Sequence, residues 1–139
     1  MTTTVTTRAE PETMAAARQL ASTLHPGDVV LLSGDLGAGK TAFVRGLAEG
    51  LGVDPREVSS PTFTLIQEYR GGRITLLHVD LYRLSAAEAQ DLGLDELTAG
   101  EAVTAIEWPE RWPGLRGASV RVTIESTGDT ERAITIERW

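Results

Sequence analysis

One lysine, one threonine and two acids carry most of the chemistry this sequence can offer. Lys40 and Thr41 close the run Gly34, Asp35, Leu36, Gly37, Ala38, Gly39, Lys40, Thr41, while Asp80 and Glu107 each stand at the end of a short apolar run. The first spacing is that of a phosphate-binding loop. Its glycines let successive backbone N–H groups wrap an anion, Lys40 reaches the outer phosphates and the Thr41 hydroxyl coordinates Mg²⁺. An acid after an apolar strand is the expected second half of such a site, holding the metal directly or through water. The plainer alternatives are a glycine-rich turn with an incidental lysine, Asp80 as a turn residue, and Glu107 as a surface carboxylate paired with Arg111. Of the 13 basic residues 12 are arginine, so Lys40 is the only lysine. An arginine-using chain keeps its single compact ammonium where a point charge is wanted rather than a planar fork.

Positioning these residues requires strands that end beside the loop. Asp28 to Ser33 is an apolar run bounded by turn residues, as expected of a buried parallel strand, and Phe43, Val44, Leu47, Ala48 and Leu51 recur at helical spacing until Gly52 caps the helix. The loop thus lies at a helix N-terminus, where donors and dipole favour an anion. Arg45 and Glu49, four apart on the outer side of this helix, read as a solvated pair. Before the strand, Pro11 and Glu12 open a helix with Met14, Ala17, Leu20, Ala21 and Leu24 on one face, and residues 1–10 read as a frayed or edge-strand start.

After the loop helix, Thr62 to Tyr69 and Arg73 to Val79 flank Gly71-Gly72 and predict a β-hairpin, which makes the sheet mixed. Ser85 and Glu88 form a capping box for a short helix, and Asp91 to Gly100 is a short helical connection. Ala102 to Ile106 predicts a further buried strand ending in Glu107, Trp108 and Pro109. Asp80 and Glu107 then share the carboxyl edge of the sheet, where ligands bind in open α/β folds. Trp108 covers a nucleotide, meets a partner or simply packs. Val120 to Ile124 and Ala133 to Ile136 predict a terminal antiparallel pair that completes and covers the sheet.

Bulk properties narrow the function. A chain of 139 residues is expected to be one domain, residues 1–139, with little room for an acceptor domain or large lid. A net charge of -7 argues against the protein itself gripping DNA or RNA. The absence of cysteine excludes disulfides, thiolate metal sites and thiol nucleophiles. The Thr-rich start lacks the apolar segment of a signal peptide or membrane span, so a cytoplasmic protein is expected.

The chain has no asparagine and its single lysine is committed to the loop, so the Asn-Lys-x-Asp guanine element of GTPases cannot exist. ATP becomes the default nucleotide, and Thr13, at the start of the first helix, is a candidate for its base or ribose region. Two classes then remain, beside a nucleotide-gated binding module with no meaningful turnover. A small-molecule kinase needs an acceptor site and an arginine-bearing lid, for which only the short run from Arg111 to Arg116 offers itself. A coupling ATPase needs a segment that senses the outer phosphate. Ser59 to Thr64 supplies hydroxyls in a switch-like position, or is an ordinary polar turn.

Four blocks resemble the bacterial TsaE family: Gly-Asp-Leu-Gly-Ala-Gly-Lys-Thr at 34–41, Ser-Pro-Thr-Phe-Thr-Leu at 60–65, His-Val-Asp-Leu-Tyr-Arg-Leu at 78–84 and Ile-Glu-Trp-Pro at 106–109. Order, spacing and total length match, whereas the two terminal segments match only in general character. The resemblance implies a three-layer α/β, P-loop NTPase-like fold with a mixed, partly antiparallel sheet. It also implies an ATPase that works with the TsaB and TsaD proteins in placing a threonylcarbamoyl group on the adenosine beside the anticodon of tRNA. In that family the ATPase does not perform the transfer, and tRNA is held by the partners. By the same resemblance Lys40 and the loop amides bind phosphates, Thr41 and Glu107 contact Mg²⁺, Asp80 is the acid of the second motif, Thr62 lies in the switch-like segment and Trp108 borders the site. Asp80 and Glu107 would share the metal and the positioning of a water attacking the γ-phosphate in line.

Overall fold

The structure, a computed structural model, describes residues 1–35, 39–58, 66–112 and 117–138. Seven strands form one sheet: β1 (Thr2–Thr7), β2 (Val29–Ser33), β3 (Ile66–Tyr69), β4 (Leu76–Asp80), β5 (Val103–Glu107), β6 (Val120–Ser126) and β7 (Arg132–Arg138). Their spatial order is β1-β7-β6-β2-β5-β4-β3. The inner four, β6, β2, β5 and β4, run parallel, while β3 adds antiparallel at one edge and β7 with β1 at the other. The expected mixed sheet is therefore parallel where it is buried on both faces. Accordingly Val29-Val30-Leu31-Leu32 and Val103 to Ile106 are buried without alternation.

Helices cover both faces, giving three layers. On one face lie α1 (Glu10–Ala21) and α2 (Lys40–Gly50), which bury Ala17, Leu20, Phe43, Val44 and Leu47 against Val30, Leu32, Ala105 and Val122. On the other, α3 (Ala86–Gln90) and α4 (Leu94–Thr98) bring Ala89 and Leu94, with Trp112, onto Leu31, Val79 and Ile106. Each large apolar side chain so buried contributes roughly 1.5–3 kcal/mol. The Ser85–Glu88 capping box starts α3 as expected, with Glu88 N donating to Ser85 Oγ and Ser85 N to Glu88 Oε1.

The seam between α1 and α2 is unusually close. A Cβ added at Gly46 would lie 2.3 Å from the Met14 carbonyl oxygen, and one at Gly50 would lie 2.5 Å from the Ala21 Cβ. Here the structure corrects the expected Arg45–Glu49 pair. Arg45 instead meets Glu10 at 3.2 Å and Glu49 meets Arg18 at 2.9 Å, so both charges tie α2 to α1. The two helices lie so near each other that cross-helix partners are closer at hand than the intrahelical one. The Gly71-Gly72 turn of the β3–β4 hairpin rests on the end of α2, where Arg73 N donates to Leu51 O at 2.8 Å.

Candidate functional site

Three adjacent parallel strands finish in one row. Leu32 of β2 pairs with Glu107 of β5, which pairs with Asp80 of β4. Cross-strand partners share a face, and Leu32 belongs to the core beneath α1 and α2. Both carboxylates therefore stand on the α2 side of the sheet, at the edge from which Gly34 leaves β2. The sequence-predicted convergence of Gly34, Lys40, Asp80 and Glu107 is the arrangement observed.

Gly39 turns the chain into α2 with φ +100°. Directly after it, Lys40 folds back, its Nζ donating to the Gly34 carbonyl at 2.7 Å and lying 4.0 Å from the centroid of the Trp108 ring. Burial lowers the Lys40 pKa from its ordinary value; Glu107, Asp80, Glu110 and Asp35, whose negative charges favour the ammonium, oppose this only in part. Burial likewise raises the Asp80 carboxyl, aided by the Glu107 charge and opposed by the N–H of Tyr82, His78 and Lys40. Asp80 Oδ1 accepts that Tyr82 N–H at 3.0 Å, which sets the orientation of the side chain.

Glu107 is not the surface carboxylate that the plainer alternative predicts. It is buried, and its Oε2 lies 2.5 Å from Nε2 of the fully buried His78, while Arg111 is exposed in the turn beyond. That turn follows from the backbone of Trp108, the one non-glycine residue with positive φ among those described, at +59°. A side chain in this region costs roughly 1–2 kcal/mol. It carries the indole over Lys40, where it also meets the Tyr82 ring, with centroids 5.0 Å apart.

Thr13 is buried at the start of α1, with its hydroxyl 2.8 Å from that of Thr7. It lines a cavity of about 260 Å³ together with Glu10, Gly39, Ala42, Asp129, Thr130 and Arg132. Through Gly39 and Ala42 the cavity abuts the start of α2. The β6–β7 turn that closes it was not legible as part of a site, because Asp129 and Thr130 look like ordinary hairpin residues. Leu36, Gly37 and Ala38 of the loop, Thr62 with the rest of the switch-like segment, and Arg116 lie outside the described residues. Asp35 is exposed at the loop entrance and Thr41 is partly buried in the first turn of α2.

Among the described residues no cluster of three or more His, Cys, Asp or Glu forms a metal site by itself. The oxygen donors here, two carboxylates on adjacent strand ends and the Thr41 hydroxyl in the first turn of α2, are instead of the chemical kind that completes a hard cation's shell with phosphate oxygens and water. Asp80, Glu107 and Thr41 fit that requirement. None of the described helices is long and apolar enough to cross a membrane.

Sheet order, loop position and strand-end acids together define an α/β protein with a P-loop NTPase-like fold. Residues 7–134 match the model of the family described as "Threonylcarbamoyl adenosine biosynthesis protein TsaE", and the chain belongs to that family. The tRNA threonylcarbamoyladenosine biosynthesis protein TsaE of Bacillus subtilis (strain 168) is 48% identical over 128 residues, which are 89% of this chain and 78% of that protein. The protein of the same name from Synechocystis is 50% identical over 102 residues, 70% of this chain and 64% of its own length, so the chain spans just under two thirds of it. Among solved structures, the crystal structure of Bacillus subtilis YdiB is similar with a TM-score of 0.79 at 39% identity, covering 99% of this chain and 86% of that one.

Proposed function

We propose that the chain binds ATP with Mg²⁺ and hydrolyses it as the nucleotide-driven component of tRNA threonylcarbamoyladenosine biosynthesis, acting in the cytoplasm with TsaB and TsaD rather than performing the transfer. The observation that carries the reading is the buried Lys40 ammonium at the head of α2, beside a row of two strand-end carboxylates. A desolvated ammonium is costly unless an anion compensates it. The direct contacts of Lys40, the Gly34 carbonyl and the Trp108 face, are neutral, and the surrounding carboxylates offset its burial only in part, so a phosphate would add a stronger, charge-assisted contact.

In this reading Gly34, Asp35, Leu36, Gly37, Ala38 and Gly39 wrap the phosphates, Lys40 binds the outer ones, and the cavity at Thr13 receives the nucleoside. Thr41, Asp80 and Glu107 hold Mg²⁺, which when bound neutralises phosphate charge. Of the two acids, Asp80 already gives one oxygen to Tyr82 N–H and Glu107 one to His78, leaving each a second oxygen for cation or water. Trp108 and Tyr82 border the site, and Thr62 belongs to the segment that senses the outer phosphate. The net charge of -7 suits a component whose partners hold the tRNA.

Purified protein given ATP and Mg²⁺, alone and with TsaB and TsaD, tests this reading. Hydrolysis that rises with the partners supports it, whereas phosphate appearing on a small acceptor identifies a kinase instead. Glu107→Ala is expected to reduce turnover at least 100-fold while nucleotide affinity stays within a few-fold, measured with a fluorescent ATP analogue. Unchanged turnover in that variant removes Glu107 from the mechanism.

A further inference from the structure

We propose that His78 is a positioning residue that holds the Glu107 carboxylate in its working orientation. The inference rests on the reading of Glu107 as a residue of the ATP site. In the sheet, His78 pairs with Ala105 and Asp80 with Glu107. Alternate residues of a strand share a face, so His78, Asp80 and Glu107 stand on one side, with His78 and Glu107 diagonal to each other. A long side chain spans that diagonal, and the imidazole does so, meeting Glu107 Oε2 at 2.5 Å.

Packing alone does not account for an imidazole here. Its strand neighbours Leu76, Leu77 and Val79 are apolar and buried, and an aliphatic side chain at 78 would join the same core without a polar atom to satisfy. The other ring nitrogen, Nδ1, has no hydrogen-bond partner among the described residues. The ring thus makes one polar contact, through Nε2–H donated to Glu107, and that contact brings a buried unpartnered atom with it. Glu107, itself 4% exposed, gains a donor that fixes one oxygen, Oε2, and with it the rotation of the carboxylate. Asp80 is held separately by Tyr82 N–H, so the two acids have independent supports. Partners of this kind are typically worth 10–100-fold in metal affinity or activity.

His78→Leu removes the donor and keeps an apolar side chain. With protein in excess over ATP and Mg²⁺, its single-turnover rate is expected to fall by about 10–100-fold while ATP affinity is unchanged, and His78→Gln, which retains an N–H, is expected to recover most of the loss. A wild-type rate in His78→Leu, or a folded His78→Gln as slow as it, overturns the proposal. A second readout needs no nucleotide. The chain has two histidines, and the His25 side chain is 83% exposed. A ring N–H in slow exchange with water, seen by NMR of histidine-labelled protein, therefore comes from His78, and it should shift in Glu107→Gln. Absence of that resonance, or its indifference to Glu107→Gln, also overturns the proposal. Glu107→Gln assayed in parallel separates the two readings: if it turns over normally, the role of Glu107 has failed, and if it is inactive while His78→Leu is not, only the role of His78 has.

Discussion

The two ends of α2 use glycine for opposite reasons. Toward its C-terminus, Gly46 and Gly50 are required by space, since a Cβ at either would lie 2.3–2.5 Å from atoms of α1. At its N-terminus, Gly39 is required by conformation: φ is +100°, yet among the described residues a Cβ there would meet nothing nearer than Arg132 Nε at 3.9 Å. The packed end is apolar and bound to α1 by close contact. The other end carries a desolvated ammonium, an indole on a left-handed backbone and a carboxyl with a raised pKa. Close packing is concentrated at one end of the helix and unfavourable local terms at the other, where the proposed nucleotide site lies.

Substitution at the packed end has the largest expected effect. In Gly46→Val the new side chain meets the Met14 backbone, which cannot yield without separating the helices, so a loss of about 3 kcal/mol or more is expected. This corresponds to a melting temperature lower by roughly 10 °C or more. Gly39→Ala sharpens the contrast because it adds no crowding among the described residues and costs the left-handed conformation, about 1–2 kcal/mol. Thermal unfolding of both variants without nucleotide checks the order. A Gly39→Ala variant less stable than Gly46→Val would invert the comparison.

The same division explains what the sequence discloses. The site edge is legible because its signals are local: glycines in sequence before Lys40, and an acid at the end of each apolar run, at 80 and 107. Parallel pairing then brings distant strand ends into one row, as a sheet of this class requires. What escapes is set by neighbours remote in sequence. Arg45 and Glu49 look like a pair until α1 brings Glu10 within 3.2 Å of the one and Arg18 within 2.9 Å of the other. Asp129 to Arg132 look like any hairpin turn until they close the cavity at Thr13. His78 has a faint signal, as a polar residue in an apolar run two positions before an acid, but its contact with Glu107 depends on strand register. The family resemblance located the four blocks and their order, whereas only the fold shows that Trp108 lies on Lys40 and Glu107 on His78.

The smallest predicted effect carries the opposite sign and tests whether the N-terminal end is held at a cost. The Asp80 carboxyl is pushed above its usual range, first by burial, and the attraction of Lys40 is already part of that balance. A group whose folded pKa is raised binds its proton more tightly in the fold than in the unfolded chain. Stability therefore falls as pH rises from the ordinary carboxylate range through the folded pKa, and the penalty is complete above it. Asp80→Asn keeps an oxygen for the Tyr82 N–H but has no charge to desolvate. In metal-free protein at pH 7 it is expected to raise the melting temperature by about 2 °C, with the gain shrinking as pH falls into the range where wild-type Asp80 is protonated in both states. The same variant should lose ATP turnover. A variant less stable than wild type at neutral pH would show that the ionised carboxylate supports the fold, and the division between a stabilising and a working end of α2 would not hold at Asp80.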